Sequence, residues 1–203
     1  MTISLQKGQR IDLTKGNAGL SKIMVGLGWD PVEQKKGGGL LGGLFGGGSG
    51  GGANVDCDAS ILMLEDDKLT SKKDLIYFGN LKSACQSVNH TGDNLTGDGD
   101  GDDEQIMVDL NKVPDRITKL VFVVNIYDAV KRKQDFGMIQ NAFIRVVNQT
   151  NREELIKFNL TDNYSGKTSL FVAEIYRHGS EWKFAAIGNG TNDAGLSDIA
   201  KKY

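Results

Sequence analysis

The run from Lys119 to Tyr127 constrains this fold more than any other stretch of the chain. Leu120, Val121, Phe122, Val123, Val124 and Ile126 are apolar at odd and even positions alike, with turn signals on either side. Strand side chains alternate between two faces. A run that is apolar on both faces is therefore a central, buried strand.

The other apolar residues mostly alternate with polar ones, and Pro31 and Pro114 are the only prolines. Ile3, Leu5, Ile11 and Leu13 predict two short strands joined by a turn at Lys7-Gly8-Gln9. Lys22 to Trp29 predicts a third, whose Gly26 and Gly28 suggest a bulge or a close backbone approach. Further strands are expected at 55–64, 75–78, 87–90, 105–110, 142–147, 155–160, 169–177 and 181–187. Glu65-Asp66-Asp67-Lys68 and Arg177-His178-Gly179-Ser180 are turns. Val113 to Ile117, with Pro114 near its start, predicts one helical turn. Short helices are expected at Ala129–Asp135 and about Leu196–Lys202. This pattern predicts an all-β-dominated chain, a β-sandwich of two mainly antiparallel sheets with a few short helices. There is no βαβ rhythm to support a parallel sheet. At 203 residues the chain reads as one domain, 1–203, with a glycine-rich insertion at about 35–53.

That insertion is low in complexity. Between Gly37 and Gly52, eleven of sixteen residues are glycine, so ordering it costs more entropy than its few apolar groups recover. It has no Gly-Lys-Ser/Thr of a Walker loop and no strand–turn–helix context for a dinucleotide fingerprint. It reads as a flexible hairpin insertion. The sharper reading makes Leu40-Leu41 and Leu44-Phe45 a sticky peptide for a partner or membrane surface.

The strongest chemical signal is His90 to Glu104. Asp93, Asp98, Asp100, Asp102, Asp103 and Glu104 place six carboxylates in twelve residues, interleaved with glycines. Asp109 adds a seventh, and no Lys or Arg lies between Lys82 and Lys112. With a formal net charge of −2, the rest of the chain carries about +5. That is a mixed surface with no basic stripe for phosphates, so nucleic acid is not an expected partner. Like charges crowded in this way call for a cation, and hard divalent cations take oxygen ligands from carboxylates, amides and carbonyls. Glycines let the backbone turn and bring carbonyls inward. The loop reads as a Ca²⁺ site between β-strands at one end of the sandwich. It is not an EF-hand: with Asp98 at position 1, Asp103 stands where glycine is required and Asp109 where Glu belongs. Nor does a nonapeptide repeat follow. Asp56 and Asp58 share a strand face and are candidates to complete the site.

The other signals exclude more than they suggest. Cys57, Cys85, His90 and His178 are too few and scattered for a zinc cluster. Met1 to Lys7 has no signal-peptide core, and no run of roughly 18 apolar residues exists to span a bilayer. The expectation is a soluble, cytoplasmic protein, not an integral membrane protein, with reduced thiols.

Gly92-Asp93-Asn94-Leu95-Thr96-Gly97-Asp98-Gly99-Asp100-Gly101-Asp102-Asp103-Glu104, followed by Asp109-Leu110-Asn111-Lys112-Val113-Pro114, resembles the signature of the TerD family of bacterial tellurium-resistance and stress proteins. Supporting stretches are Val25 to Asp30, Asp56 to Ser60, Asn80 to Ser83, Gly137 with Ala142 to Arg145, and Glu174 to His178 with Glu181 to Phe184. The insert departs from the family pattern, which has a shorter polar loop there. The resemblance implies a sandwich binding Ca²⁺, two ions, at one end. It implies a cytoplasmic, non-enzymatic role in resistance to tellurite and related stresses, alongside other resistance-operon or membrane-associated proteins. Carried over residue by residue, the metal ligands are Asp56, Asp58, Asp93, Asn94, Asp98, Asp100, Asp102, Asp103 and Glu104, with Asp30 a weaker candidate. Two alternatives stand beside this. One is a Ca²⁺-dependent adaptor at an anionic membrane or membrane-protein partner. The other is a metal-dependent phosphoester hydrolase, for which His90 is the nearest acid or base. No nucleophile–base arrangement is legible.

Overall fold

The computed structural model describes residues 1–32, 55–92 and 101–203. The insertion at 35–53 lies outside the described residues, as does the greater part of the acidic loop. In chain order the described strands and helices are β1 (Ile3–Leu5), β2 (Arg10–Asp12), β3 (Lys22–Pro31), β4 (Cys57–Leu64), β5 (Leu75–Ile76), β6 (Val88–His90), β7 (Glu104–Asp109), β8 (Lys119–Ile126), α1 (Ala129–Arg132), β9 (Ile139–Asn148), β10 (Glu154–Asn159), β11 (Ser169–His178), β12 (Glu181–Thr191) and α2 (Leu196–Ala200). No helix among the described residues is long and apolar enough to cross a membrane.

The strands form two six-stranded sheets. The first has the order β1-β10-β9-β3-β7-β6, the second β2-β12-β11-β8-β4-β5. Every pairing is antiparallel except β1 with β10. The expected all-β architecture of two mostly antiparallel sheets with few helices is therefore the one observed.

The inner faces meet in one core that includes Ile23, Val25, Leu27, Ile61, Met63, Ile106, Phe122, Ile144 and Phe184. β8 explains its own sequence. Leu120, Phe122 and Val124 point into this core, while Val121 and Val123 point outward. There they meet Leu62 and Leu64 of β4, under Ile199 of α2. Burying an aliphatic side chain of this size contributes about 1.5–3 kcal/mol, so both faces of β8 stabilise the fold.

Several expectations need correction. The two N-terminal strands are not a hairpin: β1 joins one sheet and β2 the other, so the turn at Lys7-Gly8-Gln9 crosses the sandwich. The helical turn predicted at Val113–Ile117 is one hydrogen-bonded turn, Ile117 N–H to Pro114 O at 2.9 Å. A 3-10 turn precedes it at Leu110–Lys112. α1 stops at Arg132 because Lys133 turns left-handed, with φ 54°. Only Leu75 and Ile76 of the segment 75–78 pair with β4, and Tyr77 turns back onto Asn80.

Candidate metal centre

β5 is so short that it pairs only with Ile61 and Leu62, leaving the backbone of Ala59 open on that side of β4. Two side chains of the other sheet fill the gap. The Glu104 Oε2 accepts from the Ala59 N–H at 2.6 Å, and His90 Nε2 lies 3.1 Å from the Ala59 carbonyl. His90 Nδ1 accepts from Gly92 N–H at 3.1 Å, so the hydrogen-bond pattern assigns the ring proton to Nε2. Nε2 is also 3.4 Å from Glu104 Oε2. Both groups are 2 % exposed.

One residue earlier, Asp103 is tied to β3. Its N–H donates to Leu27 O at 2.8 Å, and its Oδ2 accepts from the Trp29 N–H at 2.7 Å. The register of β3 against β9 shifts here, between Gly28 and Asp30. Asp102 turns the other way, onto the outer face of the first sheet. Its two oxygens receive Arg145 Nε at 2.7 Å and Nη2 at 2.9 Å, with Gln105 Nε2 at 3.1 Å. Both glycines of β3 are needed for this. A Cβ on Gly26 would lie 2.2 Å from Asp102 Oδ1, and one on Gly28 would lie 2.6 Å from the Gly101 carbonyl. The expected close backbone approach and the expected bulge are both present.

Asp56 and Asp58 stand at the start of β4. Cys57, Ala59 and Ile61 face the core, so Asp58 shares the outward face of Leu62 and Leu64. Asp56 meets Arg132 Nη1 at 3.4 Å, and its carbonyl accepts from Tyr127 N–H at 2.8 Å. Between the two aspartates, burial pushes the Cys57 thiol well above its ordinary value, and so do the charges of Asp58, Asp56, Glu104 and Asp103. These four carboxylates act on one point.

The structure thus brings Asp56, Asp58, Asp103 and Glu104 to the same end of the sandwich and takes Asp102 away to Arg145. Asp93, Asn94, Asp98 and Asp100 lie outside the described residues. Among the described residues, no three acidic, histidine or cysteine side chains converge as a metal cluster on their own. Asp30 accepts from Asn141 Nδ2 at 2.8 Å. Sequence reasoning did not find the role of Arg145. Its only signal is its place directly across from Gly26, which requires the strand register.

A family model described as the TerD domain matches residues 1–203. The chain belongs to the TerD family. It is 72% identical over 203 residues to the stress response protein SCP2 of Bacillus subtilis, covering 100% of both chains. It is 40% identical over 204 residues to the tellurium resistance protein TerD of Serratia marcescens, covering 100% of this chain and 97% of that one. The crystal structure of a TerD homologue from Streptomyces coelicolor A3(2) has the same fold, with a TM-score of 0.63 at 20% identity over 86% of this chain and 92% of that one.

Among the described residues of this TerD chain, the acidic end offers carboxylate oxygens beside the buried Cys57 and His90, and both His90 ring nitrogens are engaged by backbone groups. Asp58, Asp103 and Glu104 are 4 %, 9 % and 2 % exposed. Carboxylates buried at one end of a fold need compensating positive charge to remain ionised. That donor chemistry fits a hard cation rather than zinc or copper.

Proposed function

We propose that this chain is a Ca²⁺-binding, non-enzymatic module of the stress response, acting in the cytoplasm in resistance to tellurium compounds and related damage. The observation that carries this reading is the hydrogen bond from Ala59 N–H to Glu104. It anchors the exit of the acidic loop beside Asp56 and Asp58, so carboxylates far apart in sequence share one end of the fold. Asp56, Asp58, Asp103 and Glu104 would hold the metal with Asp93, Asn94, Asp98 and Asp100, for two ions in all. A bound ion would neutralise the carboxylate surplus and cross-link the loop to β4. The relatives' names, stress response protein and tellurium resistance protein, support the physiological part.

The test is a melting curve of the full chain in EGTA and then in Ca²⁺ or Mg²⁺, with bound metal counted by elemental analysis. Selective stabilisation by Ca²⁺, with two ions per chain, supports the reading. No shift, or an equal shift with Mg²⁺, overturns it.

A second reading, a Ca²⁺-dependent adaptor at an anionic membrane, is favoured by one surface. Tyr127 and Val130 are 43 % and 68 % exposed beside Lys131, Arg132 and Lys133, and Arg132 contacts Asp56. Co-sedimentation with anionic vesicles, with and without Ca²⁺, tests it. The hydrolase reading gains nothing here, because both ring nitrogens of His90 are engaged by backbone groups.

A further inference from the structure

On the outer face of the second sheet, Asp58, Asn125 and Ser169 lie directly across from one another on β4, β8 and β11. Ser60 follows two residues after Asp58 on the same face. Directly opposed side chains on a sheet face have Cβ atoms about 5 Å apart. Asp58, Ser60, Asn125 and Ser169 are 4 %, 1 %, 6 % and 0 % exposed. Four polar residues are thus buried where the neighbouring positions of the same strands, Leu62, Leu64, Val121 and Val123, are aliphatic.

Ser169 is satisfied, since its hydroxyl donates to the Asp193 carbonyl at 3.2 Å. Asn125 and Ser60 are not. Asn125 Oδ1 and Ser60 Oγ are buried without a hydrogen-bond partner. Leaving such a group buried and unsatisfied is unfavourable. Both lie on the face that carries the buried carboxylate of Asp58. A carboxamide oxygen and a carboxylate are both acceptors and cannot satisfy each other, so the partner they share is a cation or a hydrogen-bond donor such as water.

We infer that Asn125 Oδ1 and Ser60 Oγ are cation ligands, joining Asp58 in a Ca²⁺ site on the outward face of β4 and β8. This rests on the calcium reading above and extends it. It adds two ligands that the acidic signature does not contain. It also separates Asp58 from Glu104, which faces the opposite side of β4 at Ala59, so the two ions would sit on different sides of that strand.

The test is calorimetric titration of the chelator-treated full chain with CaCl₂, alongside its melting temperature in EGTA. Asn125→Leu keeps the side chain's size and removes its oxygen. It should lower the ion stoichiometry by one, or raise the dissociation constant at least ~10-fold. In EGTA it should melt no lower than the parent chain, because the unsatisfied amide is gone. Ser60→Ala should weaken binding less, in the same direction. Unchanged stoichiometry and affinity in N125L overturn the assignment and leave a water as the partner of Asn125. Should N125L fail to fold, S60A is expected to weaken binding and Asn125→Asp to preserve it, and the reverse order overturns the assignment. If the parent chain takes up no Ca²⁺, both readings fall. If uptake is impaired in Glu104→Gln but intact in N125L, the calcium reading stands and this one falls.

Discussion

Asp102 and Arg145 are joined by two parallel hydrogen bonds, Nε to Oδ1 at 2.7 Å and Nη2 to Oδ2 at 2.9 Å, laid across the bare backbone of Gly26. The carboxylate is fully buried and the guanidinium 30 % exposed. Arg145 also reaches Glu154 at 3.2 Å. Removing one partner of such a pair strands the other charge, so Asp102→Asn should cost about 2–4 kcal/mol in urea unfolding. Arg145→Lys should also be destabilising, since an ammonium cannot reproduce the fork. Neither change should alter Ca²⁺ stoichiometry, because both Asp102 oxygens are already engaged.

Gly26→Ala should destabilise through Asp102 and not through the strand itself, since the new methyl would overlap that carboxylate at 2.2 Å. A double-mutant cycle checks this. Once Asp102 is alanine, G26A should cost less than it does alone, so the two effects will not add. Additive costs would place the strain in β3.

Glu104→Gln retains an acceptor for the Ala59 N–H and loses the charge. In EGTA it should therefore fold about as stably as the parent chain. In Ca²⁺ the two should separate. Ligand at a hundredfold excess over its dissociation constant adds about 2.7 kcal/mol, which for a chain of this size raises the melting temperature by roughly 5–10 °C. E104Q should show a smaller rise by scanning calorimetry.

The two cysteines should react very differently. Burial raises the Cys85 thiol too, but hydrogen bonds from the Ser83 and Ser87 hydroxyls outweigh it and leave the thiol below its ordinary value. Cys57 is core-facing and held high by burial and four carboxylates. Timed alkylation of the native chain near neutral pH should label Cys85 first, with Cys57 following only on unfolding. Mass mapping of the labelled peptides reads the order.

Burial, with Asp162 nearby, pushes the Tyr164 phenol up to about 12. Burial, with Glu174 and Asp67, does the same for Tyr203, also to about 12. Both are raised acids, so the folded chain holds these protons after the unfolded chain has released them. Stability should be unaffected below about pH 10 and fall between about pH 10 and 12. Spectrophotometric titration should find two tyrosines ionising late, and Tyr164→Phe should remove part of the alkaline loss.

Much of the fold is legible from local pattern, because strand period and burial are local properties. Lys119 to Tyr127 shows a buried strand without reference to any other residue, and the two glycines of β3 announce a close approach. What the pattern cannot reveal is which strand supplies the neighbour. Nothing near Asp102 predicts Arg145, because that pairing depends on β3 separating β7 from β9. The same limit applies at Asp56-Cys57-Asp58. Period two puts both aspartates on one face, but only the packed sandwich shows that Cys57 faces inward and that Asn125 lies opposite Asp58. His90 reads in the sequence only as the nearest acid or base to the acidic run, since its partner Ala59 sits in the other sheet.

The crossing at Lys7-Gly8-Gln9 has a consequence for assembly. β1 zips onto β10 and β2 onto β12, so ten consecutive residues, 3–12, seal an open margin of each sheet. Their partners lie far along the chain, Ile156 opposite Ile3 and Lys183 opposite Asp12. Residues 3–12 must therefore wait, unpaired, for strands made well after them, in a topology whose long-range pairings slow folding. A deletion through Asp12 would unlatch both sheets at once.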